Sequence, residues 1–160
     1  MLPHCQVSMH THKLTEIRMP HPILCKMPGH LIRRLHQHST AVFQQRLKAE
    51  GHDITSVQFS ALTKLAENPG LDQATLAALI EYDRATIGGV VKRLAQKGLI
   101  RRDPNTTDRR AFQLFLTPAG QTLLAQIWPI VATLQDDILS HLSASDRAAL
   151  VTLMQKALQL

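Results

Sequence analysis

Eight basic side chains lie between residues 84 and 110: Arg84, Lys92, Arg93, Lys97, Arg101, Arg102, Arg109 and Arg110. They stand against only Asp103 and Asp108. Their surplus of +6 equals the formal charge of the whole 160-residue chain, so the remainder is neutral. Guanidinium and ammonium groups at this density make no bonds covalently; they pair with oxyanions, arginine in a bidentate fork and lysine as a point charge. A solvated helix surface usually mixes signs, whereas a concentrated cationic segment suits a polyanion. Nucleic acid comes first, and an anionic membrane or acidic protein second.

A second constellation precedes it. Arg34 and His38 are four residues apart, hence on one helix face, and His38 shares a stripe with Leu31, Leu35 and Val42. A mostly apolar slot with one fixed cation suits a small aromatic carboxylate. The bland alternative is an interface histidine beside a surface arginine. Cys25, next to Lys26 and ahead of a helix start, allows a redox-sensing alternative. Cys5 and Cys25 form no CxxC pair, and His4, His10, His12 and His21 are irregularly spaced without carboxylate neighbours, so no metal site is expected. Neither GxSxG, HExxH nor a glycine-rich phosphate loop is present; the expectation is no enzyme and no cofactor. No apolar run approaches the roughly 18 residues that span a bilayer, and Met1 to Met27 lacks a secretory pattern. A soluble cytoplasmic protein, not a membrane partner, is expected.

The elements that must position these groups follow from periodicity and punctuation. Residues 1–28, with four prolines, read as an extended arm. Gly29 to Gly51 reads as a helix with Leu31, Leu35, His38, Val42 and Gln45 on one stripe. Thr55 and Gln58 have capping-box spacing ahead of Val57, Ala61, Leu62, Leu65 and Ala66, and Asn68-Pro69-Gly70 stops that helix. Asp72 caps a short helix to Ile80 with Leu76, Leu79 and Ile80 inward; Asp83 caps another, Arg84 to Lys97, closed by Gly98. Residues 99–102 and 111–116 alternate as two strands around a polar tip. Thr117-Pro118 opens a long helix with Leu124, Ile127, Val131, Leu134, Ile138 and Leu142 as a heptad-like seam, which Pro129 should bend near Ala125 to Trp128. A last helix follows Ser143 to Ser145. The fold class is mainly α with a small β-hairpin wing, a winged helix-turn-helix with helical dimerisation arms. The helices of 29–52 and 118–160 would dimerise around a DNA-binding lobe of 53–117.

On a helical wheel, Ile87, Val90, Val91 and Leu94 gather on one side of the basic helix, with Ala85, Gly89, Lys92, Arg93 and Gln96 opposite. Ala85, Gly88 and Gly89 would let the backbone approach a major-groove floor. Arg84, Thr86, Lys92 and Arg93 could reach phosphates or base edges. Two adjacent glycines cost a helix roughly 1–2 kcal/mol, which close approach to DNA, or tight packing on a neighbouring helix, could offset. At the hairpin tip, an arginine of Asp108-Arg109-Arg110 could enter a narrow minor groove with Asp108 steadying a guanidinium.

From residue 29 onward the chain resembles the MarR family. The resemblance rests on Gln58-Phe59 followed by Leu62 and Leu65, Lys92-Arg93-Leu94, Lys97-Gly98-Leu99-Ile100-Arg101-Arg102, Asp108-Arg109-Arg110 and Leu116-Thr117-Pro118-Ala119-Gly120. It implies a homodimer with interlocked terminal helices, bound to a pseudo-palindromic operator in double-stranded DNA. It also implies that Arg109 or Arg110 is the minor-groove arginine and Asp108 its partner. Met19-Pro-His-Pro and the segment from Pro28 to Gln37 are similar to regulators of nicotinate breakdown, which implies a repressor released by a hydroxynicotinate-like effector.

Overall fold

A computed structural model describes residues 24–104 and 112–160. The chain divides into two compact units, Met1–Arg34 and Leu35–Leu160, with the boundary inside the first helix, α1 (Pro28–Ala49). In the first unit a 3-10 turn at Leu24–Lys26 occupies part of the expected extended arm, and Leu24, Met27, Leu31 and Ile32 are exposed.

The second unit carries the rest of α1, then α2 (Ser56–Glu67), β1 (Leu71–Asp72), α3 (Gln73–Leu79), α4 (Arg84–Gln96), β2 (Ile100–Pro104), β3 (Phe112–Leu116), α5 (Pro118–Ile138) and α6 (Ala144–Leu158). Punctuation residues set these ends. The Thr55 hydroxyl accepts from the Gln58 N–H at 3.3 Å while Gln58 Oε1 accepts from the Thr55 N–H at 3.1 Å, which also satisfies the one buried polar side chain of the described core. Asp72 accepts from the Ala74 and Thr75 N–H groups at 2.8 and 2.9 Å, and Ser143 from that of Asp146. Gly98, at φ +68°, closes α4: its N–H reaches Ala95 O and that of Leu99 reaches Leu94 O, a turn that needs a left-handed residue.

Strands β2 and β3 form the expected hairpin, with Ile100 opposite Leu116 and Pro104 opposite Phe112. Periodicity missed a third strand. The two residues of β1 pair antiparallel with β3, Leu71 opposite Leu114, giving the order β1-β3-β2. The core of this unit joins Ala61, Leu62 and Leu65 of α2, Leu76 and Ala77 of α3, Ile87, Val90, Val91 and Leu94 of α4, Leu114 of β3, and Ile127, Val131 and Leu134 of α5. Phe43, Phe59 and Trp128 link α1, α2 and α5 through ring centroids 6.0 and 5.7 Å apart.

Burial decides which faces turn inward. α1 buries Phe43 and Leu47, so its inward face lies beside the stripe through His38, which is exposed. Leu79 is exposed, because α3 ends there and Ala77 takes the inward place beside Leu76. Ile127, Val131 and Leu134 of the α5 seam are covered within the single chain. Pro129 does not end α5, which runs on to Ile138; Pro129 and Ala125, whose carbonyl loses its helical donor, both lie at exposed positions where water can serve that oxygen.

Candidate nucleic-acid interface

Four side chains fix α4 on the core. Ile87 and Leu94 are 0% exposed and Val90 and Val91 hardly more, so the helix cannot roll without opening the interior. What it presents outward is then decided by 3.6-residue geometry. Arg84, Ala85, Thr86, Gly89, Lys92 and Arg93 are exposed and Gly88 is half-buried at the edge of the same face.

The two glycines have little to pack against. A Cβ built on Gly89 would meet only the Arg93 guanidinium, at 3.8 and 3.9 Å, and one on Gly88 only the Gln73 amide nitrogen, at 3.4 Å. No helix backbone approaches either position, so tight helix packing does not account for them; they leave the outward surface of α4 low between its cations. Asp83 precedes α4 but makes no capping bond to a backbone N–H. Its Oδ2 accepts from the Thr86 hydroxyl at 2.7 Å, which holds the carboxyl below its usual range. The Thr86 hydroxyl proton, expected to be available to DNA, is thus engaged inside the protein.

The C-terminal end of α4 is tied down twice. Lys97 Nζ lies 2.6 Å from Asp53 Oδ2 and also bonds the Asp53 carbonyl, lowering the Asp53 pKa, first by hydrogen bonding and then by charge. The Thr117 hydroxyl donates to Gly98 O at 2.6 Å, its N–H donates to Leu99 O at 3.1 Å, and its oxygen caps α5 by accepting from the Gly120 N–H. On the hairpin, the Arg101 guanidinium sits 4.5 Å over the Phe115 ring and that of Arg102 4.6 Å over Phe112, so cations on β2 are braced against aromatic faces on β3. Arg101 also pairs with Asp103. Asp108, Arg109 and Arg110 lie outside the described residues.

Residues 54–112, from the loop before α2 to the start of β3, match the MarR family model. The chain is 36% identical over 132 residues to a putative transcriptional regulatory protein for the hcr operon of Thauera aromatica, covering 81% of this chain and 80% of that one. The chain belongs to the MarR family. A second MarR relative is the HTH-type transcriptional repressor NicR of Pseudomonas putida, 35% identical over 128 residues and 80% of each chain. Among solved structures, Bordetella bronchiseptica BpsR, whose DNA binding is regulated by 6-hydroxynicotinic acid, superposes with a TM-score of 0.76 at 27% identity, over 84% of this chain and 96% of that one. The protein is therefore a MarR-family transcriptional regulator built on a winged helix, and the relatives named are regulators too.

For a MarR regulator the remaining candidates are less assembled. Arg34 and His38 are both exposed on α1. Cys25 is exposed in the turn before it, and Cys5 lies outside the described residues, as do His4, His10, His12 and His21. Among the described residues no group of three His, Cys, Asp or Glu side chains could hold a metal ion, and no helix is long and apolar enough to cross a membrane. No motif announces a cavity of about 380 Å³ whose lining includes Phe59, Thr63, Lys64, Ile80, Glu81 and Trp128. Its walls come from α2, the end of α3 with Glu81 after it, α5 and Leu160, a grouping visible only once the chain is folded.

Proposed function

We propose that the protein is a homodimeric repressor that holds a pseudo-palindromic operator through two copies of the α4 face and two wings, and releases it when a small aromatic carboxylate binds. The observation that carries the DNA half is the outward face of α4. Its cations Arg84, Lys92 and Arg93 flank Ala85, Gly88 and Gly89, with no packing demand that explains the glycines. Lys92 and Arg93 serve phosphates or guanine edges, and Arg109 or Arg110, steadied by Asp108, serves the minor groove. Self-association is supported by α6, which buries no residue in the single chain and leaves Val151, Leu153, Met154 and Leu158 exposed. The effector half is supported by the relatives, the transcriptional repressor NicR and BpsR, whose DNA binding is regulated by 6-hydroxynicotinic acid. Arg34 and His38 are the cations assigned to the carboxylate, and within the second unit the pocket beside Trp128, of about 380 Å³, is a separate place where a single ring would fit. Coupling of about 1–3 kcal/mol between the two ligands would suffice.

The test begins with a duplex selected by the full chain from a random-sequence pool. Lys92→Ala, Arg93→Ala and Arg109→Ala each weaken binding while the mass in light scattering stays dimeric, and Leu153→Glu lowers that mass. Adding 6-hydroxynicotinic acid releases the wild-type complex, quenches or enhances Trp128 fluorescence, and fails to release the complexes of Arg34→Ala and His38→Ala. Unchanged binding in all three DNA-face variants would remove α4 and the wing as the interface; release by peroxide but by no acid would move the sensor to Cys25.

A further inference from the structure

Arg84, Gly88 and Lys92 follow one another at four-residue intervals, so they form a single row along α4 in which the middle position has no side chain. The gap is not empty. Gln73, the first residue of α3, places its Nε2 3.4 Å from where a Gly88 Cβ would stand. Among the described residues no hydrogen bond takes up that amide, and the side chain is only half-buried. We infer that Gln73 acts as the missing side chain of the row, an additional contact to the DNA backbone donated by α3 and seated over Gly88 between Arg84 and Lys92. The inference rests on the α4 face being the DNA interface, and it adds a residue from outside α4 to that interface.

The chemistry of the partner follows from the neighbours. Arg84 and Lys92 offer only donors, and the Gln73 amide nitrogen adds two N–H groups beside Gly88, so the row suits a succession of anionic oxygens. On duplex DNA those are phosphate oxygens. Phosphate contacts fix the register of a recognition helix without reading bases, which suits a group at the flank of the face and not at its centre. Gly88 leaves room for that amide. A methyl there would touch the amide, and a longer side chain would displace it.

Binding of the full-length wild type and its variants to the selected duplex is followed by fluorescence anisotropy across a range of salt concentrations. Gln73→Ala is expected to weaken binding about 5- to 150-fold, the loss of one hydrogen bond in each of two half-sites, by a similar factor on every single-base variant of the duplex. Because no charge is removed, the slope of log affinity against log salt stays at the wild-type value, whereas Lys92→Ala, which removes one cation in each half-site, lowers it by about two. Gln73→Glu, which sets a carboxylate against the phosphate, weakens binding more than Gln73→Ala. Melting curves and circular dichroism of Gln73→Ala match the wild type. Wild-type affinity in Gln73→Ala beside a clear loss in Lys92→Ala overturns the role of Gln73 and leaves the α4 interface standing. A loss confined to substitutions at one base pair overturns the phosphate assignment in favour of base reading. Unchanged affinity in Lys92→Ala and Gln73→Ala together overturns the interface and this contact with it.

Discussion

Replacing Gly120 by alanine tests how α5 is seated on the winged core. The added Cβ would lie 2.1 Å from the Leu99 carbonyl oxygen and 3.0 Å from its carbon, so the two backbones must separate by roughly 1 Å. Leu99 cannot retreat freely. Its N–H is bonded to Leu94 O, its carbonyl accepts from Thr117, and Gly98 beside it accepts the Thr117 hydroxyl. Overpacking of this kind costs about 1–3 kcal/mol, the two bonds of Thr117 are worth about 1 kcal/mol each, and the better helix propensity of alanine returns about 1 kcal/mol. The net destabilisation is about 2–4 kcal/mol, which for a chain of this size lowers Tm by roughly 5–15 °C. Calorimetry at one fixed protomer concentration measures it, since Tm of an associating protein depends on concentration. A melting point within about 2 °C of wild type would refute the reasoning, because it would mean that α5 shifts at no cost.

The other expectations concern single groups. Gly89→Ala, whose Cβ meets only the flexible Arg93 guanidinium, should raise stability by about 0.5–1 kcal/mol in urea titration and yet weaken binding to the selected duplex. Thr55→Ala removes a capping box and should lower stability by about 1 kcal/mol, read as a lower urea midpoint with an unchanged slope. Hydrogen bonds to Asp72, first from the Thr75 N–H and then from its hydroxyl, hold its carboxyl below 3.8 in the folded state. A depressed folded value stabilises the protein above the unfolded value, and that contribution is lost as pH falls through the folded one. Asp72→Asn should therefore be the less stable protein at pH 7 and should lose less stability than wild type between pH 5 and pH 3, as urea midpoints at each pH will show.

How far the fold could be read in advance varied with how local its causes are. The α4 pattern was complete in the sequence because four buried positions within eight residues define one face, and every one of them is buried. Capping by Thr55, Asp72 and Thr117 was equally legible, since a cap and the N–H that donates to it lie within three residues. Strand β1 was not, because two residues carry no periodicity and their partners, Leu114 and Gln113, are distant in sequence. On α1, apolar residues occupy two adjacent stripes, and nothing local says that Phe43 and Leu47 turn inward while His38 does not. The steps of three and four along α5 revealed a seam but not what covers it, so Ile127, Val131 and Leu134 fit a partner chain as well as the core that buries them. The contribution of Gln73 depends on a contact across the turn between two helices, and no spacing rule within either helix announces it.

The joint at Thr117 and Gly120 has a mechanical consequence. With Gly98 and Leu99 bonded to Thr117 and the Gly120 backbone seated against Leu99, the last turn of α4 and the first turn of α5 move as one piece. At 21 residues α5 is a rod of about 30 Å, so a pivot of about 5° at this joint sweeps its far end through roughly 2.7 Å. A sub-ångström adjustment beside Gly98 and a displacement of half a helical turn at Ile138 are thus two ends of the same lever.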